Sequence, residues 1–200
     1  PNVQRTSSSR RPVACIHVPC LQPWLPPWLL QKSYPISDED DYSTLLERAY
    51  IGCSELLYQA VKFTQSDASN QISQRLIHPT GFYCSDRRNG DEVLNWNQTS
   101  REVFNFVRAI CKPGPQARTS LNNNEILINR VECIHNAPIY KGIPGAVLKV
   151  EKNSYIVKTQ DSFVRILEWT SKEKIKMGDC FKWKYWSLPK LELTIMVKFI

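Results

Sequence analysis

The chain has 200 residues, 42% hydrophobic and 22% charged, which is ordinary for a folded protein and enough for one domain, or a small one with part of another. No run approaches the roughly 18 apolar residues a membrane span needs. CLQPWLPPWLL, residues 20–30, is broken by three prolines and lacks a small-residue cleavage site, so it does not read as a signal peptide and a cytoplasmic protein is expected.

The net charge of +7 is uneven: residues 1–100 carry 9 Lys+Arg against 10 Asp+Glu, residues 101–200 carry 17 against 9. The second half therefore suits a polyanion such as RNA or a phosphate-bearing small molecule, unless its lysines only solvate the surface. The seven cysteines include no C-x-x-C pair, and His17, His78 and His135 lie far apart. Zinc sites draw on paired ligands, so no metal is expected and the thiols read as reduced, packed small apolar groups.

Residues 1–31 have no acidic residue, no lysine and many prolines, which break helix and central strand alike. No period of 2 or 3.6 runs through them. They are expected to be unstructured or an out-of-frame start, with ordinary coding resuming near Lys32. SYPI then reads as a short strand. SDEDD loads negative charge ahead of a helix predicted from Tyr42 to Phe63, with Leu45, Leu46, Ala49, Cys53, Leu56, Leu57, Ala60 and Val61 on one face. The following polar stretch is loop-like, with one short strand before Pro79.

FYCSDRRNGDEVLNW, residues 82–96, places Asn89-Gly90, a strong turn signal, between an Arg pair and an acidic pair. A second helix opens at Thr99, where Thr-Ser-Arg-Glu forms a capping box. Val103, Phe106, Val107 and Ile110 share its face, and CKPGP ends it. ARTSL, EILINRVE, GAVLKVE, SYIVKT and SFVRILEW follow as short strands separated by NNN, IPG, KNS and QD, a spacing that suggests a small barrel or sandwich. Residues 183–200 match no pattern.

The order YSTLLERA, FYCSDRRNGDEVLNW, VFNFVRAICKPGP and IPGAVLKV resembles the C-terminal half of the folate-dependent formyltransferase family, from about Lys32 to Asp179. The family includes methionyl-tRNA formyltransferase and nucleotide-sugar N-formyltransferases. The resemblance implies an α+β chain: the remnant of a Rossmann-like α/β domain with a linking helix (32–111), then a small OB-like β-barrel (112–182). It also implies 10-formyltetrahydrofolate as donor and an amine acceptor, either a nucleotide-linked amino sugar or methionyl-tRNA. The wording FYCSDRR and the modest barrel length look closer to the nucleotide-sugar branch.

The family's catalytic Asn, His and Asp lie in an N-x-H-P-x-x-L-P motif and a later G-x-D-T-G segment. The nearest stretch here, CIHVPCLQP, has Cys15 where the Asn would stand, and no Asp lies between His17 and Lys32. No catalytic residue is therefore assigned, and the expectation is a fragment inactive by itself.

Arg87 and Arg88 are candidates to grip an acceptor phosphate, since guanidinium forks match phosphate oxygens. Tyr83 and Trp96 are candidates to offer a face to a base or sugar; the alternative is that both pack beneath the turn. Asn105 and Arg108 are expected to fix a domain junction, and Asp91 and Glu92 to pair with the arginines. His78 and His135 are expected to face solvent or cap. SKEKIKMGDCFKWKYW, residues 171–186, mixes cations with aromatics, a texture also seen where single-stranded nucleic acid binds. A non-catalytic barrel that binds RNA or a protein partner is thus a second reading.

Overall fold

The computed structural model describes residues 13–19, 28–66 and 86–182. The chain divides between Asp86 and Arg87 into two compact units.

In the first unit, β1 (Val13–Pro19) pairs antiparallel with β2 (Trp28–Pro35), Ala14 opposite Tyr34 and Val18 opposite Leu30. Within residues 1–31, expected to be unstructured or an out-of-frame start, residues 13–19 and 28–31 are thus in strands. The expected SYPI strand is the end of β2, and proline at Pro19 and Pro35 falls where it is tolerated, at strand ends.

Helix α1 (Tyr42–Ser66) packs on both strands, and its Leu56 and Ala60 are buried. Its start is reciprocal: Thr44 N–H donates to Asp41 Oδ1 (3.0 Å), and Asp41 N–H donates to Thr44 Oγ1 (3.0 Å). SDEDD therefore acts as a cap and not as loose negative charge: Asp41 binds the helix end. Buried Asp40 accepts from Ser37 N–H (2.7 Å) and pairs with Arg48 (2.6 Å). The predicted apolar face is narrower than expected, since Cys53, Leu57 and Val61 are exposed.

The second unit is one helix on an antiparallel sheet. Its strands are β3 (Ala117–Leu121), β4 (Asn124–Cys133), β5 (Val147–Glu151), β6 (Ser154–Lys158) and β7 (Phe163–Ser171), in the order β3-β4-β7-β6-β5. The β3–β4 connection is a two-residue hairpin. Asn122 and Asn123 both take positive φ (49° and 69°), as the right-handed strand twist demands.

Helix α2 (Ser100–Ile110) carries the predicted capping box at Thr99 and Glu102. It buries Val103, Val107 and Ile110 against β4, with contacts to β3 and β7. It therefore belongs to the same compact unit as the sheet.

The core includes Leu94, Trp96, Ile128, Val157, Val164 and Ile166. Among the described residues no strand closes the sheet. Instead the segment 178–182 bonds towards both edges: Ser120 and Lys182 exchange hydrogen bonds on the β3 side, while Phe181 N–H donates to Gly145 O and Val147 N–H to Asp179 O beside β5 (both 2.8 Å). Gly145 makes this possible. Its φ is +86°, and a Cβ there would stand 2.4 Å from the Phe181 carbonyl oxygen.

Candidate functional site

The stretch from Asp86 to Trp96 is a tight turn leading into an extended segment. Asp91 N–H donates to Arg88 O (3.1 Å) and Val93 N–H to Gly90 O (3.0 Å), with Gly90 at φ 106°. The acidic pair locks this turn. Asp91 Oδ2 accepts from Arg88 N–H (2.7 Å), and Glu92 accepts from Gly90 N–H (3.2 Å) and faces Arg87 Nη2 (3.4 Å).

Leu94 N–H then donates to Arg118 O and Arg118 N–H to Glu92 O, so the segment runs along β3. The result is a rigid base that presents Arg87 and Arg88, both exposed, to solvent. The Arg87 side chain is 51% exposed, so the pairing with Glu92 is a screened surface contact that an anion can displace.

Trp96 is 1% exposed. Its indole N–H donates to Thr119 Oγ1 (3.0 Å), and its ring meets Phe181 at 5.6 Å. The ring lies in the core, leaving no exposed face for a ligand: a large apolar surface with a satisfied N–H is worth more there. Tyr83 lies outside the described residues, as does His78. Asn105 Oδ1 accepts from Arg108 Nε (3.0 Å), and Arg108 lies over Phe104, both contacts within one helix. His135 is exposed in the turn after β4.

Sequence reasoning missed Lys158. Its side chain is fully buried, and Nζ donates to the carbonyls of Tyr140 (2.8 Å), Thr159 (2.8 Å) and Ser162 (3.0 Å) while lying 4.3 Å from the Tyr140 ring centroid. Burial pushes this ammonium below the ordinary lysine range, with the Asp161 charge opposing.

Asp161 ties the same region to α2. Burial would raise its carboxyl, but hydrogen bonds from Ser100 N–H and hydroxyl, the Thr159 hydroxyl and Ser162 N–H hold it below its ordinary value. The cation and carboxylate thus fix the loop before β5 and the start of α2. The signal lay in SYIVKT, where a lysine follows Val157 at the inward end of the strand.

Residues 88–182 match the formyl transferase C-terminal domain family. Residues 88–182 thus carry the C-terminal domain of the formyltransferase family. The chain is 32% identical over 146 residues to the methionyl-tRNA formyltransferase of Thermodesulfovibrio yellowstonii, covering 70% of this chain and 43% of that protein. It is 32% identical over 155 residues to the methionyl-tRNA formyltransferase of Mycoplasma mycoides, covering 75% and 46%. The chain thus spans less than half the length of these relatives.

A solved N-formyltransferase from Helicobacter canadensis, in complex with folinic acid and dTDP-3-aminofucose, shares the fold at a TM-score of 0.55 with 18% identity, over 79% of this chain and 56% of that one. The described residues do not fit a folate donor's reaction centre. Of the side chains described, His135 is exposed in a turn, and Asp161 is committed to the α2 start. Among the described residues no group of three or more His, Cys, Asp or Glu could hold a metal, and no helix is long and apolar enough to cross a membrane.

Proposed function

We propose that this chain is the acceptor-side part of a cytoplasmic formyltransferase that moves a formyl group from 10-formyltetrahydrofolate to the amine of methionyl-tRNA, and that it does not carry the transfer by itself. The observation behind this is the match of residues 88–182, joined to relatives at 32% identity whose printed activity is on methionyl-tRNA. The second unit reads as a small OB-like barrel completed by segment 178–182, and the first as a remnant of the family's α/β domain.

Arg87 and Arg88 are the acceptor contacts in this reading. They stand on a turn whose carboxylates and backbone fix it in place, so little freedom is lost when a phosphate binds between two guanidinium forks. The excess of cations in residues 101–200 supplies the longer-range attraction.

The second reading keeps the nucleotide-linked amino sugar as acceptor, and the fold shared with the Helicobacter canadensis enzyme favours it. Filter binding of the 200-residue chain to methionyl-tRNA and to a nucleotide-linked amino sugar separates the two. The first predicts salt-sensitive tRNA binding that falls steeply between 50 and 200 mM salt, as expected for several phosphate contacts at roughly one counterion each. Absence of tRNA binding at low salt, with binding of the sugar nucleotide, would establish the second.

A further inference from the structure

The connection from β4 to β5 contains an extended segment. Residues 137–143 make no turn or bend, and Pro138 and Pro144 favour extended backbone at the residues before them. Alternate residues tie this segment to the body of the unit. Pro138 O accepts from the Ser162 hydroxyl (2.8 Å). Tyr140 N–H donates to Asp161 O (2.9 Å), Tyr140 O accepts from Lys158 Nζ (2.8 Å), and the Tyr140 ring meets that ammonium and, at 6.3 Å, the Phe163 ring. Gly142 lies so close to the Lys158 stem that a Cβ would stand 2.7 Å from Cε.

Successive side chains of an extended chain point to opposite faces. With positions 138, 140 and 142 turned to the body, Ile139, Lys141 and Ile143 form one outward row. Their exposure agrees: Ile139 is 83% exposed, Ile143 70%, and Lys141 is exposed. The main chain follows the same rule. In an extended segment the N–H and C=O of one residue point to one side and those of its neighbours to the other. Both groups of Tyr140 bond to the body, so those of Ile139 and Lys141 face away, and neither residue makes a main-chain hydrogen bond to another described residue. No described residue forms an ion pair with Lys141.

Single exposed isoleucines need no account. Here two stand on one row, either side of a lysine, on a segment clamped by a buried ammonium. We infer that this row docks an extended peptide by strand addition, and that the peptide carries a carboxylate with an apolar residue two positions to either side. Its main chain bonds to Ile139 and Lys141, its carboxylate meets Lys141, and its apolar side chains lie against Ile139 and Ile143. The clamp keeps the ordering cost of docking low. Lysine and proline on an edge also discourage pairing between copies, but that role leaves the two isoleucines without a reason. An RNA strand would meet Lys141 and set its phosphates against the isoleucines. The inference stands on this segment alone, so its failure leaves the formyltransferase reading intact.

Amide NMR on the 200-residue chain tests it, with an end-blocked heptapeptide, TVTETVT, whose outward row is valine, glutamate, valine. TVTKTVT reverses the charge, and TTVEVTT moves the valines off the row of the glutamate. TVTETVT at up to about 2 mM, a range suited to a few main-chain hydrogen bonds, should shift the amides of residues 139–143 and slow hydrogen exchange at Ile139 and Lys141. The other two peptides should bind about five-fold more weakly or worse. Lys141→Glu should reverse the order of TVTETVT and TVTKTVT, and Ile139→Ser with Ile143→Ser should weaken TVTETVT about ten-fold. The three side chains are exposed, so the variants should keep the unfolding midpoint. No shift in residues 139–143, equal binding of the three peptides, or an unreversed order in Lys141→Glu would each overturn the proposal. So would binding to phosphatidylcholine vesicles containing phosphatidylserine that the serine variant loses, which would give the row to a lipid surface. Self-association lost in that variant would give it to a second copy and overturn the proposal equally.

Discussion

Replacing Gly145 by alanine probes how the sheet edges are joined. At φ +86° an L residue is strained by about 1–2 kcal/mol. The new Cβ would also lie 2.4 Å from the Phe181 carbonyl oxygen, a backbone atom that cannot swing aside, so the segment 178–182 must move. That movement weakens the Phe181 N–H bond to Gly145 O and the Val147 N–H bond to Asp179 O, each worth about 1 kcal/mol net. Together the loss is about 3–4 kcal/mol.

Gly178 is an internal control. Its φ is +91°, but nothing lies within 4 Å of its Cβ direction, so Gly178→Ala carries the conformational cost alone. Urea unfolding followed by circular dichroism measures both. Gly145→Ala should be less stable than Gly178→Ala by about 2 kcal/mol, the two lost hydrogen bonds. Equal losses in the two variants would refute the idea that a close approach at Gly145 joins segment 178–182 to the sheet.

Lys158→Met should destabilise the chain by about 3 kcal/mol in the same assay, because the buried carbonyls of Tyr140, Thr159 and Ser162 lose their donor; a loss under about 1 kcal/mol would show that they find other partners. Asp161 has its carboxyl held below the ordinary 3.8, so its contribution is complete above that pH and disappears as the pH falls through the folded value. Asp161→Asn should therefore lower stability at pH 7 and flatten the acid limb below pH about 4, and an unchanged acid limb would contradict the assignment. Arg87→Ala and Arg88→Ala together should leave the unfolding midpoint unchanged, since both side chains are exposed, yet lower the salt slope of tRNA binding by about 2; an unchanged slope would remove both from the acceptor site.

Local rules in the sequence were enough to place much of the second unit. The Thr99–Glu102 box, the paired asparagines at positive φ and the alternation along β3, β4 and β7 depend on neighbours a few residues away. Strand β1 and the first half of β2 were not legible, because prolines and the lack of alternation hide an antiparallel pair whose order comes from pairing and from α1. The role of Trp96 was decided by Thr119 and Phe181, both distant in the chain. Gly145 looked like one letter of a family motif, and only the approach of Phe181 gives it a reason. Asn129 and Leu167, which the β4–β7 register skips, follow no residue pattern, since a bulge is a property of two strands together.

The central claim is that this chain supplies acceptor binding to a formyltransferase. The most direct test fuses it to the N-terminal half of the Thermodesulfovibrio yellowstonii relative and measures formyl transfer from 10-formyltetrahydrofolate to methionyl-tRNA. The fusion should transfer formyl where neither part does alone, and Arg87→Ala with Arg88→Ala should raise KM for the tRNA about ten-fold or more while leaving kcat unchanged. A folded fusion with no transfer, or a double variant with unaltered KM, would contradict the account.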